Sequence, residues 1–127
     1  MNAQTTSLNI FLVENHEDTL KYMRMYLETL GHAVVVARDV SSALKEIPTL
    51  PVDLLISDIG LPDGTGWDLL KQLRSEHPVF AVAMSGFGMN ADRAKSREAG
   101  FRHHLIKPFM PDELDPILSE ALAQKST

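Results

Sequence analysis

Four short polar stretches, spread over 127 residues, carry the groups in this sequence best suited to joint chemistry. Glu14-Asn15 follows LNIFLV, Asp58 follows DLLIS, Ser85-Gly86 follows FAVAM, and Lys107-Pro108 follows HHLI. Carboxylate and amide oxygens are hard ligands that suit a small cation such as Mg²⁺. A hydroxyl and an ammonium can hold the oxygens of an anion, the ammonium acting as a point charge. Gathered in one place, these groups could take a phosphoryl group onto a carboxylate while the cation and Lys107 neutralise its charge. Each group alone has an ordinary reading. Asp58 could cap a loop, Glu14 could face the dipole of a following helix, Ser85 could sit in a turn, and Lys107 could be a surface lysine. Only convergence would give them a shared role.

Convergence requires elements that deliver them, and the intervening segments alternate regularly. Leu8–Val13 reads as an apolar strand, followed by a helix over His16–Leu30 with Leu20, Met23, Leu27 and Leu30 at helical spacing; Gly31 stops it. Ala33–Ala37 (AVVVA) reads as a second buried strand. Asp39 is placed to cap a helix bearing Val40, Ala43, Leu44 and Ile47, with Pro48 after its end. Asp53–Ser57 is a third strand. A turn-rich stretch, Gly60–Gly66, precedes a helix bearing Trp67, Leu70 and Leu73, with Asp63 and Gly64 as turn formers. Phe80–Met84 is the fourth strand, Ala91–Ala99 a short polar helix closed by Gly100, and His103–Ile106 the fifth strand. A last helix spans Pro111 to Ala123, or begins in regular form only at Asp115 as N-cap with Pro116 at N1. Strands that are apolar throughout suit a parallel sheet covered on both faces, and five β–α units suggest a doubly wound α/β sandwich. Such sheets collect ligands at the carboxyl ends of their strands, where all four polar stretches fall.

Composition narrows the alternatives. A balance of 44% hydrophobic and 23% charged residues suits one core over residues 1–127, centred on about 8–123. The longest apolar runs are too short to span a bilayer, and Met1–Asn9 lacks a signal-peptide core, so a cytoplasmic, membrane-free protein is expected. With no cysteine there is neither a disulfide framework nor a thiolate metal site. A formal charge of −5 argues against direct nucleic-acid binding, and Arg93–Arg97 reads as a solvated helix face. His16, His32, His77 and His103 show no ligand spacing, so no zinc or iron site is expected. Trp67 and the methionines read as core or half-buried residues.

The acidic position in Glu14-Asn15, the aspartate in LLISDIGLPDGTG, the serine in AVAMSGFG and the KPF motif at 107–109 occur in order at consecutive strand ends. Together they resemble the receiver-domain family of two-component response regulators, over nearly the whole chain from Ile10 to about Leu122. The resemblance implies a flavodoxin-like fold, five parallel strands in the order 2-1-3-4-5 with five helices. It implies Asp58 as phosphoacceptor, with Lys107 pairing first with the acidic site and then with the phosphoryl group, and Ser85 as hydrogen-bond donor to that group. Glu14, Asn15, Asp58 and the backbone carbonyl of Gly60 would hold Mg²⁺. The Lys107–Pro108 peptide is expected to be cis. A histidine kinase or phosphotransfer protein would supply the phosphoryl group, and a downstream protein would read the surface of helix four, strand five and helix five. The chain would be a signalling switch, not a turnover enzyme. With the chain closing soon after its last helix, no attached output domain is expected.

Two positions depart from the family pattern. Asn15 stands where a metal-touching carboxylate is usual, which predicts weak Mg²⁺ binding before phosphorylation. A receiver-like interaction module that takes phosphate poorly or not at all is therefore the rival reading. His104 stands where the family often has Tyr or Phe that turns inward with Ser85; it could serve as that switch, adding a proton-sensitive group near pH 6.5, or merely half-pack at a strand edge. A phosphatase of the haloacid-dehalogenase kind is disfavoured, because the position two after Asp58 is Gly60 and no second acid is there.

Overall fold

A computed structural model describes residues 6–74, 76, 78–86 and 90–126 of the protein. Phe87 and Gly88 of the serine motif, and His77, lie outside the described residues. Five strands make one parallel sheet: β1 (Asn9–Val13), β2 (Ala33–Ala37), β3 (Leu54–Asp58), β4 (Phe80–Ser85) and β5 (His103–Ile106). Their order is β2-β1-β3-β4-β5, the doubly wound arrangement expected from the resemblance. The helices are α1 (Glu17–Thr29), α2 (Val40–Glu46), α3 (Gly66–Arg74), α4 (Asn90–Ala99) and α5 (Asp115–Lys125).

Strand alternation splits the core into two layers. Ile10, Leu12, Leu54, Ile56, Val82 and Met84 pack beneath Leu20, Met23 and Leu27 of α1 and Ile117 and Leu118 of α5. Phe11, Val13, Leu55, Ala81 and Ala83 face Ala43 of α2, Leu69, Leu70 and Leu73 of α3, and Ala99 of α4. Each large apolar side chain so buried stabilises by about 1.5–3 kcal/mol. The chain leaves β1 toward β2 on one side, and β3 lies on the other. The crevice this reversal opens lies at the carboxyl ends of β1 and β3.

Local chemistry sets the element ends. Gly31 (φ 97°) and Gly100 (φ 112°) close α1 and α4 in left-handed backbone that a Cβ would disfavour. Asp39 caps α2 as expected, its Oδ1 accepting from Ser42 N–H at 2.7 Å. Asp63 does more than turn the chain. Its carboxylate accepts from the N–H groups of Val40 (2.7 Å) and Ser41 (3.0 Å), pinning the loop after β3 to the start of α2. These bonds hold its pKa below the usual carboxylate value.

Several expectations need correction. AVVVA is not uniformly buried: β2 is a sheet edge, and Ala33 and Val35 are exposed. Met25 and Met110 are exposed rather than core. Asp53 precedes β3; its carboxylate accepts from Asn9 N–H at 2.7 Å and pairs with Lys125 at 2.8 Å. The last helix begins with a 3₁₀ turn over Pro111–Leu114, and α5 proper starts at Asp115 with Leu114 as its cap. Pro116 thus falls in the first turn, where its missing N–H costs nothing. Gly60–Leu61 pairs with Gly64–Thr65 in a short antiparallel ribbon within the turn-rich stretch.

Candidate functional site

Glu14 is the first residue beyond β1, Asp58 the last of β3, and Lys107 the first beyond β5. The backbone fixes each: Glu14 N–H donates to Ala37 O (3.0 Å), Ile59 N–H to Met84 O (2.8 Å), and Lys107 N–H to Ser85 O (2.8 Å). The Lys107–Pro108 peptide is cis, as the family resemblance led us to expect. Lys107 Nζ donates to Glu14 Oε1 at 2.6 Å and to Asp58 Oδ2 at 3.0 Å. These side chains are sheltered, with exposures of 20% for lysine, 0% for glutamate and 8% for aspartate. Two carboxylates against one ammonium leave the crevice negative, a setting that favours a divalent cation.

The protonation equilibria reflect this crowding. Burial raises the Asp58 pKa, the Glu14 charge adds to the rise, and the Lys107 bond opposes it without cancelling it. Burial also acts on Glu14, but the bonds from Lys107 and the His16 backbone outweigh it and hold its carboxyl below the usual range. Burial would lower the Lys107 pKa, yet the two carboxylates carry it above its ordinary value. At neutral pH Glu14 is therefore ionised and Lys107 charged.

The loop after β3 is shaped by one close approach. An ideal Cβ on Gly66 would stand 2.4 Å from the Asp58 carbonyl oxygen and 3.0 Å from Ser57 Oγ. Only glycine lets α3 begin against the backbone of β3 here.

Ser85 and His104 meet. Ser85 Oγ lies 2.9 Å from His104 Nε2, and His104 Nδ1 lies 2.8 Å from Ser96 Oγ on α4. Trp67 Nε1–H of α3 donates to the same Ser96 oxygen at 2.9 Å. A polar chain therefore runs from β4 through β5 and α4 to α3. A neutral imidazole supplies one donor and one acceptor and satisfies both hydroxyls in either tautomer. Burial first, and then the charge of Arg93, hold the His104 pKa below its ordinary value, with Asp92 pulling weakly the other way. The ring titrates below pH 6.5 and not at it.

Ser96 was not singled out by sequence reasoning, and Trp67, half-buried as expected, was read only as a packing residue. The available signal was a serine three residues before Ala99, on the one buried face of a polar helix. His16 was set aside for want of ligand spacing, yet its Nδ1 lies 3.2 Å from Glu14 Oε2, and its backbone N–H donates to that oxygen at 2.9 Å. One ligand atom from each of Glu14, His16 and Asp58 falls within 4.8 Å of the others. Asn15 and Gly60 are exposed and adjoin this cluster along the chain, Asn15 after Glu14 and Gly60 two residues after Asp58.

The model of the response regulator receiver domain matches residues 10–119. The chain belongs to the receiver-domain family. It is 33% identical to the KDP operon transcriptional regulatory protein KdpE of Escherichia coli over 118 residues, covering 93% of this chain and 52% of that regulator. It is 31% identical to the alkaline phosphatase synthesis transcriptional regulatory protein PhoP of Bacillus subtilis, covering 84% of this chain and 45% of the other. The receiver thus spans about half the length of these relatives. Among solved structures, the signal receiver domain of an HD domain-containing protein from Pseudomonas fluorescens superposes with a TM-score of 0.85 at 28% identity, over 98% of this chain and 92% of that one. A Clostridium difficile response regulator gives 0.90 at 23% identity, over 94% and 99%, a likeness of fold. Receiver domains are signalling domains of two-component systems, not turnover enzymes, and the family typically binds Mg²⁺. Among the described residues no helix is long and apolar enough to cross a membrane.

Proposed function

We propose that this receiver is a phosphorylatable, cytoplasmic switch with Asp58 as acceptor. The observation that carries the reading is the Lys107 ammonium bridging Glu14 and Asp58 at 2.6 and 3.0 Å. Asp58 Oδ would attack the phosphorus of a phosphohistidine on a histidine kinase or phosphotransfer protein. The new P–O bond forms as the P–N bond breaks, and the electron pair leaves with the imidazole nitrogen. Lys107, already charged and within reach, would follow the phosphoryl oxygens and neutralise them.

The donor set suits a divalent cation: two carboxylates, one fully buried, side by side in one crevice. Glu14 and Asp58 would hold it together with the Asn15 amide oxygen and the Gly60 carbonyl. When bound, the cation supplies charge neutralisation at the phosphoryl oxygens. Ser85 would then give up its bond to His104 and donate to the acyl phosphate. His104, released from one partner, would reposition and alter the surface formed by α4, β5 and α5 that a downstream protein reads. α4 suits such a change: among its described side chains only Ser96 and Ala99 are buried, so little apolar contact holds it in place.

Intact-protein mass spectrometry after incubation with acetyl phosphate and Mg²⁺ tests the reading. Addition of one phosphoryl group to the wild type and none to Asp58→Asn is expected; no addition to either excludes it. Asn15 favours the rival, a receiver that binds partners without taking phosphate. An amide in place of a carboxylate removes one charge from beside the cation, worth about 1 kcal/mol at 4 Å in water and ~4 kcal/mol at an effective dielectric of 20, per unit charge. Asn15→Asp should therefore tighten Mg²⁺ binding by at least about ten-fold in a fluorescence or calorimetric titration. Equal affinities would remove the basis for a weakened site, and no phosphorylation at high Mg²⁺ would favour the rival.

A further inference from the structure

We propose that the face of α4, β5 and α5 takes an acidic, partly apolar protein segment, held by Arg93, Arg97 and Arg102. The inference deepens the receiver reading by naming the chemistry of the downstream partner, and it rests on that reading for the choice of face. A cavity of about 260 Å³ opens there, lined by these three arginines and His103. Phe101 and Ile117, both buried, and the half-buried Leu105 give it an apolar part. Among the described residues no carboxylate lines it. The chain as a whole carries a net charge of −5, so this basic cluster is a local feature and not a reflection of composition.

The arginines are arranged for an anion from outside the chain. Arg93 and Arg97 stand one helical turn apart on α4, both exposed, so their side chains share a face. Like charges at that spacing oppose the helix unless an anion comes between them. Among the described residues neither guanidinium forms a salt bridge. Glu98 adjoins Arg97 in sequence but, one residue on, does not face it. Arg102 is held in place: its guanidinium lies 4.5 Å from the Phe80 ring centroid, donates to Gln124 Oε1 at 2.5 Å and pairs with Glu120 at 2.9 Å. The other Glu120 oxygen lies 2.8 Å from His103 Nε2, so this acid is already engaged. The Arg93 charge is felt at His104, and Asp92 offsets it only weakly.

Side-chain carboxylates fit this layout best. Guanidinium forks bind carboxylate or phosphate through paired parallel bonds, and the apolar lining calls for a hydrophobic side chain beside them. Free phosphate would leave Phe101, Leu105 and Ile117 uncovered. A nucleic-acid backbone asks for a run of cations on a basic domain, which this chain is not. A short segment that alternates acids with a large apolar residue satisfies both halves, with its anchor at the centre and its charges at the rim. The pocket also adjoins the acceptor's relay: Ser96 and His104, linked through His104 to Ser85, line it. A His104 that leaves Ser85 reshapes this wall, which couples occupancy of the pocket to the state of Asp58.

Fluorescence anisotropy and amide NMR titrations with a labelled peptide of alternating glutamate and leucine test this, beside its lysine–leucine counterpart and a short DNA duplex. The acidic peptide should shift the amides of Arg97, Arg102 and Leu105, and should bind more weakly as salt rises. Arg93→Glu with Arg97→Glu should cost about ten-fold or more in affinity. Lys45→Glu with Lys71→Glu, exposed on α2 and α3 and equal in net charge, should stay within about two-fold of wild type. All four positions are exposed, so both variants should keep their fold. Equal losses in the two variants, or tighter binding of the lysine peptide or of the duplex at these arginines, would overturn the proposal. Repeating the titration on protein shown by mass to carry a phosphoryl group separates the two readings. A several-fold change in peptide affinity supports both. Arginine-dependent binding by a chain that takes no phosphoryl group sinks the switch alone, and a phosphorylated chain that ignores the peptide sinks the acidic partner alone.

Discussion

At the scale of single residues, the crevice holds a carboxylate in a place that costs stability. Asp58 is buried beside a second ionised acid, and its pKa is raised by burial and by the Glu14 charge. A group with a raised acid pKa is harder to ionise in the folded chain than in the unfolded one, so its charge opposes folding at neutral pH. Asp58→Asn keeps the shape and removes that charge. It should stabilise the protein by about 1 kcal/mol, the usual size of one favourable change, in urea unfolding at neutral pH. The gain should fade as pH falls through the raised folded pKa, where the wild-type acid is itself protonated. Lower stability of the variant at neutral pH would mean that the bond to Lys107 outweighs the repulsion.

At the scale of elements, the parallel sheet explains how residues separated by up to 93 positions come into contact. Each strand ends its apolar run at the same level, and the polar residue that follows lands at the shared edge. That much was legible in the sequence, because continuous apolar strands and punctuating glycines follow from simple periodicity. The resemblance supplied the strand order and the cis peptide. What escaped was cross-element side-chain contact. Ser96 meets His104 only because α4 packs over β5, and no spacing within either segment announces it. His16 meets Glu14 because the backbone folds back at a helix cap, a two-residue contact that ligand-spacing rules do not anticipate. The edge position of β2 came only with that strand order, since AVVVA by itself reads the same at an edge as at the centre of a sheet. The Ser85–His104–Ser96–Trp67 chain makes a testable unit. Ser96→Ala leaves the indole N–H and one imidazole nitrogen without their partner, a cost of about 1–3 kcal/mol in unfolding free energy. It should also shrink the change in Trp67 fluorescence on adding acetyl phosphate. An undiminished signal would show that α4 senses the site by another route.

At the scale of the whole molecule, pH acts through a histidine far from the crevice. His32 is 7% exposed, and its Nδ1 accepts the Leu8 backbone N–H at 3.0 Å, an arrangement that requires a neutral ring. Burial lowers its pKa. The unfolded chain therefore takes up a proton near pH 6.5 that the folded one resists. Stability supplied by the neutral ring is complete above that pH and is lost as pH falls toward the lower folded value. Over that window His32 should contribute a slope of up to about 1.4 kcal/mol per pH unit. His32→Gln should lose this part of the acid sensitivity, read as a flatter plot of urea midpoint against pH. An identical slope in both proteins would assign the sensitivity to other groups, His104 first among them.

The receiver chemistry itself stands or falls on where a phosphoryl group is attached. Borohydride reduces an acyl phosphate to the alcohol, so trapping after treatment with acetyl phosphate and Mg²⁺ should convert Asp58 to homoserine, located by peptide mass mapping. Homoserine at position 58, absent when Lys107 is replaced by alanine or when phosphodonor is omitted, is the expected result. Modification at any other carboxylate, or label at Asp58 undiminished by Lys107→Ala, would contradict a site built on that aspartate and that lysine.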